Sequence, residues 1–352
     1  MSISIHTLTR RFIMTAAAIS AAVIAIPAGA SAETVNIYSF RQPPLIEPVL
    51  KAFTAKTGIE TSVLFLDKGL DERVAAEGEN SPADVILTVD IARLSAVVEK
   101  GVTQPVTDDV INAAIPAEYR DPAGNWFGLT KRGRVVYASK DRVTQDQITY
   151  EELADPKWKG KICTRSGQHD YNLALISSMI AHSGLEKAEA WLKGVKANLA
   201  RKPEGGDRDQ AKAIFAGECD IAIGNTYYVG QMLTNEKEPE QKDWAGAIKV
   251  MFPNAADRGT HVNISGMALA KYAPNKDAAL KLMQFLASAD AQKIYAEQVY
   301  EYPVDPNTKP SDIVAGWGEL KADTLPLAEI AKHRKEASEM VDRVAFDDGA
   351  GS

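Results

Sequence analysis

Polar and apolar residues alternate over 34–38 (Thr-Val-Asn-Ile-Tyr), and from 45 to 57 the apolar side chains recur at helical spacing until Gly58 stops them. Residues 60–65 alternate again. Alternation sends neighbouring side chains to opposite faces of a strand, whereas spacing by three and four gathers them on one face of a helix. The stretch 34–65 therefore predicts a strand-helix-strand unit with parallel strands. A helix over 70–77, a buried strand over 83–88 and a helix over 91–100, closed by Gly101, continue the pattern. An α/β layer follows for the amino-terminal part.

After extended segments at 126–130 and 134–138 the pattern restarts. A helix is predicted from Tyr150, a strand over 161–164, helices over 172–182, 184–193 and 209–216, and a strand over 220–224 running into 227–233. Strands over 248–252 and 266–270 and helices over 276–287 and 290–300 follow. The pattern predicts a second α/β lobe and, between the lobes, a cleft of the kind in which ligands bind. A binder that closes about a hinge is the leading architecture.

The first residues do not belong to this pattern. Arg10 and Arg11 precede an apolar, alanine-rich run over 12–28, and Ala30-Ser31-Ala32 ends it. That order predicts a secretory leader cleaved after about Ala32, with both the general and the twin-arginine export routes open. No later run is long and apolar enough to span a bilayer.

Composition narrows the function. Of 352 residues, 40 are Lys or Arg and 47 are Asp or Glu, a formal charge of −7 that disfavours a nucleic-acid partner. Only Cys163 and Cys219 are present, too few for an all-cysteine metal site. In an oxidising compartment an even pair favours a disulfide, which would act as a staple and not as a metal ligand. The sequence lacks H-E-x-x-H, G-x-x-x-x-G-K-[ST], G-x-S-x-G and G-x-G-x-x-G, which argues against several large enzyme classes. His169, His182, His261 and His333 are scattered singly, and an exported enzyme using His169 or Asp170 has no recognisable nucleophile and base.

Three tyrosines stand apart. Tyr227 and Tyr228 are adjacent where a strand gives way to a helix, so their side chains diverge by about 100° and can lean toward one point. Tyr171 occupies the matching position after the strand over 161–164, and such strand ends are where α/β folds bind ligands. The residues alone leave three readings: amphipathic surface tyrosines, ring faces that stack on an organic or cationic solute, or phenol oxygens for a hard trivalent ion.

The weighting comes from a resemblance. Residues 38–43 (Tyr-Ser-Phe-Arg-Gln-Pro), 82–90 (Pro-Ala-Asp-Val-Ile-Leu-Thr-Val-Asp), 126–132 (Trp-Phe-Gly-Leu-Thr-Lys-Arg) and above all 217–228 (Gly-Glu-Cys-Asp-Ile-Ala-Ile-Gly-Asn-Thr-Tyr-Tyr) resemble the ferric-iron-binding periplasmic proteins that feed bacterial ABC transporters. The resemblance spans essentially the whole chain after the leader. It implies a type II periplasmic-binding-protein fold, each lobe a mixed sheet flanked by helices and the two joined by hinge strands. The lobes would comprise 33–132 with about 258–305, and 133–257 with about 306–352.

The resemblance also implies a non-enzymatic periplasmic monomer that takes Fe(III), free or as a chelate, and passes it to an inner-membrane permease. Carried over, Tyr171, Tyr227 and Tyr228 are the phenolate ligands, and Arg132 approaches the metal from the hinge. Some members have His-Tyr where Gln42-Pro43 stands here, so those ligands are missing and three phenolates leave about half of a six-coordinate shell open. Carbonate or bicarbonate held by Arg41, Gln42 and Arg132 would fill it, or Tyr38 turning inward. Arg41 is otherwise half of a surface ion pair, and Tyr38 otherwise structural. The alternative cargo on the same fold is a small organic cation or thiamine-like solute stacked on the tyrosines.

Overall fold

One long strand, β5 (Phe127–Ser139), runs through the whole architecture. The computed structural model describes residues 1–2 and 33–351, and its elements all lie in the unit Glu33–Ser352. Apart from Met1 and Ser2, the predicted leader lies outside the described residues. The other strands are β1 (Thr34–Ser39), β2 (Glu60–Phe65), β3 (Val85–Thr88), β4 (Thr103–Gln104), β6 (Ile162–Cys163), β7 (Ile221–Asn225), β8 (Ile248–Met251), β9 (Val262–Ala270) and β10 (Tyr302–Pro303). Their order along the sheet is β2-β1-β3-β9-β5-β7-β6, with β4 beside β9 and both β8 and β10 beside β5.

The expected parallel unit is present as β1 against β2 and β3, but β9 joins β3 antiparallel, so the sheet is mixed. β5 pairs through Phe127–Gly133 with β9 and then, from Arg134 to Ala138, with β7. Lys131, Arg132 and Gly133 break the apolar pattern, which is why two separate extended segments were expected where one strand runs. The backbone ladder continues regardless, and Arg132 and Arg134 are each only 2% exposed.

Side-chain alternation builds a core on each face of each half. In the first half Val35, Ile37, Val85, Leu87, Met267 and Leu269 pack on one face. Tyr38, Phe40, Ile86, Ile264 and Ala268 pack on the other. In the second half Val136, Ala138, Ile221 and Ile223 face one core, and Val135, Tyr137 and Ala222 the opposite one. Beyond β10 the chain serves both halves: Leu327 and Ile330 join the Tyr38 core, whereas Met340, Val341 and Phe346 join the Val136 core. The single helix expected over 290–300 is an α-helix only over Ala289–Ile294. It passes into a π turn, Tyr295–Val299, and ends at Tyr300 with φ 63°. Gly230 makes room for that residue, since a Cβ there would lie 2.4 Å from the Tyr300 ring.

Cys163 and Cys219 form the expected disulfide, with Cα atoms 5.9 Å apart across a sequence separation of 56. Both are buried, in the core shared with Tyr137 and Met232. Closing a loop of that length restricts the unfolded chain by roughly 4 kcal/mol in the chain-entropy treatment. The double variant Cys163→Ser/Cys219→Ser should therefore unfold at a clearly lower urea concentration, and an unchanged midpoint would show that the bond does not stabilise the fold.

Candidate functional site

The site is assembled at the carboxyl ends of β6 and β7. β7 ends at Asn225, and the helix Thr226–Leu233 begins at once, which puts Tyr227 and Tyr228 in its first turn. Their rings lie 4.2 Å apart, centroid to centroid, at 34°. After β6 a short loop leads to the helix Asp170–Ser183, where His169 caps the end: its Nδ1 accepts the Tyr171 N–H at 3.2 Å. The Tyr171 hydroxyl lies 3.1 Å from that of Tyr227. The three expected tyrosines thus meet, with Tyr227 only 2% exposed and the other two partly open.

The polar scaffold beneath them holds four arginines. Asp207, fully buried, accepts from Arg134 Nη1 at 2.7 Å, Arg165 Nη1 at 3.2 Å and the Asn225 N–H at 2.8 Å. Asn172 accepts from Arg134 Nη2 at 2.7 Å and donates to Thr164 and to the Arg165 and Ser166 carbonyls. The guanidinium carbons of Arg132, Arg134 and Arg165 stand 5.5, 5.8 and 5.2 Å from the Tyr171 ring centre, and that of Arg208 stands 4.7 Å from the Tyr228 ring. Arg132 donates to the Val89 carbonyl through Nη2, while its buried Nη1 has no partner.

Burial, then the neighbouring Tyr171 and Tyr228, pushes the Tyr227 hydroxyl well above its ordinary range. Burial, then Tyr171 and Asp207, raises Tyr228 as well. Burial would also raise the Asp207 carboxyl, but Arg134 and Arg165 overcome it and hold the group below its usual value. His169 falls to about 3, through burial and the Arg165 charge, so it serves as a neutral cap.

Other expected residues stand elsewhere. Tyr38 does not join the cluster: its hydroxyl donates to the Glu77 carboxylate at 3.0 Å and its ring lies under Arg73. Arg41 is not in a surface pair. It is 2% exposed and bound to Glu301 at 2.9 Å. The pairing links residues 260 positions apart, so no local pattern announces it. Gln42 is exposed and only its carbonyl is engaged, by the Leu45 N–H. Arg134, Arg165, Arg208, Asp207 and Asn172 were not singled out from sequence. The only hint is the spacing Arg132-Gly133-Arg134, which on a strand places two cations on one face.

The model of the bacterial extracellular solute-binding protein family matches residues 41–293. The chain belongs to that family. Among curated relatives of this solute-binding protein, iron uptake protein A1 of Synechocystis sp. is 42% identical over 317 residues, 89% of this chain and 88% of the relative. The crystal structure of the apo ferric ion-binding protein A of Pasteurella haemolytica superposes with a TM-score of 0.86 at 52% identity, covering 90% of this chain and 99% of that one. The Trichodesmium protein IdiA (FutA), in complex with iron and citrate, gives 0.83 at 41% identity, covering 89% and 99%. The fold is therefore the expected type II periplasmic-binding-protein fold, and the relatives are binding proteins, not enzymes.

Among the described residues no group of three or more His, Cys, Asp or Glu side chains is arranged to hold a metal ion. In this solute-binding protein the Tyr171 and Tyr227 hydroxyls, 3.1 Å apart, are oxygen donors, the kind that hard cations prefer. No helix among the described residues is long and apolar enough to cross a membrane.

Proposed function

We propose that this protein is the periplasmic Fe(III)-binding component of an ABC iron-uptake system, holding the ion through the phenolates of Tyr171, Tyr227 and Tyr228 and delivering it to an inner-membrane permease. The observation that carries the reading is the 3.1 Å approach of two phenol oxygens from separate helix starts, with the third ring stacked beside them. The names of the similar proteins support iron as the cargo. Three phenolates balance the charge of a ferric ion. The unpartnered Nη1 of Arg132 supplies a donor for carbonate or bicarbonate completing the shell, by a charge-assisted hydrogen bond. With Gln42 at the surface and Arg41 held by Glu301, that duty falls first to Arg132.

The two halves are the lobes of a hinged clamp, with β5 passing between them. Uptake and release then follow from different affinities in the open and closed arrangements, with no reaction catalysed. An organic cation fits poorly, because the guanidinium groups already stand against the Tyr171 and Tyr228 faces that such a ligand would need.

Protein loaded with Fe(III) in bicarbonate and then desalted should show a visible phenolate-to-iron charge-transfer band. A colourless protein would overturn the reading. Because Tyr227 and Tyr228 are raised above the ordinary phenol value, both are protonated at neutral pH without the ion. Binding must expel those protons, so affinity rises with pH, and a weakly buffered titration corrected for a protein-free blank should release about two or more protons per iron. No net release would rule out phenolate ligation by this pair.

A further inference from the structure

Asp170, the residue before Tyr171, makes contacts that the tyrosine cluster does not require. Its Oδ2 accepts from Arg93 Nη2 at 2.6 Å and Nε at 2.9 Å, and its Oδ1 accepts from Arg334. Arg93 lies on the helix Ile91–Glu99, whose Leu94 and Val97 pack in the Tyr38 core of the first half. Asp170 opens a helix whose Leu173, Leu175 and Ile176 pack in the Val136 core of the second half, and the helix Arg334–Val344 packs there too. The Arg93–Asp170 pair thus crosses between the halves, beside a groove of about 770 Å³ that Phe40, Arg93, Asp170 and Arg334 help to line.

We infer that Arg93 and Asp170 form a latch between the lobes that sets how long the cargo is retained, an inference that takes its cargo from the function proposed above. The reasoning concerns what each partner keeps when the pair breaks. Arg93 also donates Nη1 to the Asp67 carbonyl at 2.9 Å and lies 4.1 Å over the Phe40 ring, both in its own half. Asp170 keeps Arg334, in its own half. Separation therefore strands neither charge, unlike removal of a partner from a buried pair, which is strongly destabilising. At 20% and 13% exposure the pair is also more sheltered than a surface bridge, and it is bidentate from the guanidinium side, so it exceeds the near-zero worth of most exposed pairs. The Arg134–Asp207 pair lies wholly within the second half and cannot report on closure. The latch also lies next to the proposed ligand: Asp170 and Tyr171 share the first turn of one helix.

The test is a double-mutant cycle of Arg93→Gln, Asp170→Asn and the combination, each loaded with Fe(III) in bicarbonate. Iron transfer to excess EDTA is followed at the visible band, and the radius of gyration of iron-free and loaded protein is measured by small-angle scattering. The latch predicts the same band in all four proteins and release about ten- to hundredfold faster in each single variant, the scale of a charged hydrogen bond. It further predicts a double variant no faster than the singles, and a larger radius in the variants. Release at the wild-type rate, or additive effects in the double variant, overturns the latch. Arg93→Lys, which keeps the charge but not the fork, should fall between wild type and Arg93→Gln, and serves if the neutral variants do not fold. Absence of the band from the wild-type protein overturns the iron reading instead. The latch is then judged by scattering of the iron-free proteins, where identical radii overturn it.

Discussion

On the function proposed above, Tyr227→Phe should leave a folded protein that no longer holds ferric iron or shows its visible band. The ring is almost fully buried and packs against Tyr228, and phenylalanine preserves that packing. Only the oxygen is lost, and with it the hydroxyl contact to Tyr171. A missing phenolate leaves one positive charge of the ion uncompensated in a site already ringed by Arg132, Arg165 and Arg208. Affinity should fall by more than the roughly 10–100-fold that loss of a group behind a metal ligand usually costs. Tyr228→Phe and Tyr171→Phe should weaken and shift the band in the same direction. The measurements are the absorbance after desalting, iron content by elemental analysis and competition against citrate. A Tyr227→Phe protein that retains wild-type colour and iron would remove that phenol from the ligand set.

Asp207→Asn should produce the largest loss of stability among conservative changes near the site. The carboxylate is fully buried and serves two guanidinium groups and the Asn225 N–H. An amide presents one acceptor where there were two, removes the negative charge and turns its NH₂ toward a cation. Breaking a buried ion pair from one side costs about 3–5 kcal/mol, because the remaining charges stay desolvated. With a urea dependence of ~3 kcal/mol per molar, the midpoint falls by roughly 1 M or more. Asp209→Asn, two residues on and exposed, loses only its bond to the Gly206 N–H and should move the midpoint far less. Equal shifts in the two variants would mean that the Asp207 network contributes nothing beyond a helix cap.

What could be read along the chain was whatever has a local period or a local junction. β1 and β2 follow from alternation over a few residues, β3 and β7 from short, mainly apolar runs, and the position of Tyr171 and Tyr227 follows from each lying where a strand becomes a helix. The meeting of those tyrosines did not follow from spacing, and it rested on the family resemblance. Apart from Arg132, which the resemblance named, the arginine ring was invisible for a different reason. Arg165 sits in a loop, Arg208 in the first turn of a helix and Arg132 inside a strand, and only the tertiary fold brings them together. β5 was read as two pieces because Lys131, Arg132 and Gly133 look like a polar break, whereas strand pairing carries the ladder through them, with Arg132 and Gly133 buried and Lys131 half-buried, in a way that no window of sequence displays. Tyr38 illustrates the converse: its place in a strand suggested a structural role, and Glu77 and Arg73 supply it.

The return of the last residues to both halves bears on how the chain can be made. The core around Val35 is not complete until Val304, the one around Tyr38 awaits Ile330, and the one around Val136 awaits Phe346. A chain emerging amino terminus first therefore cannot finish one lobe and then begin the other. Both must wait, with apolar surface uncovered, for segments made near the end. Such distant pairings are slow to form and open to aggregation while they are pending, so the time spent incomplete, more than the final stability, should govern the yield of folded protein.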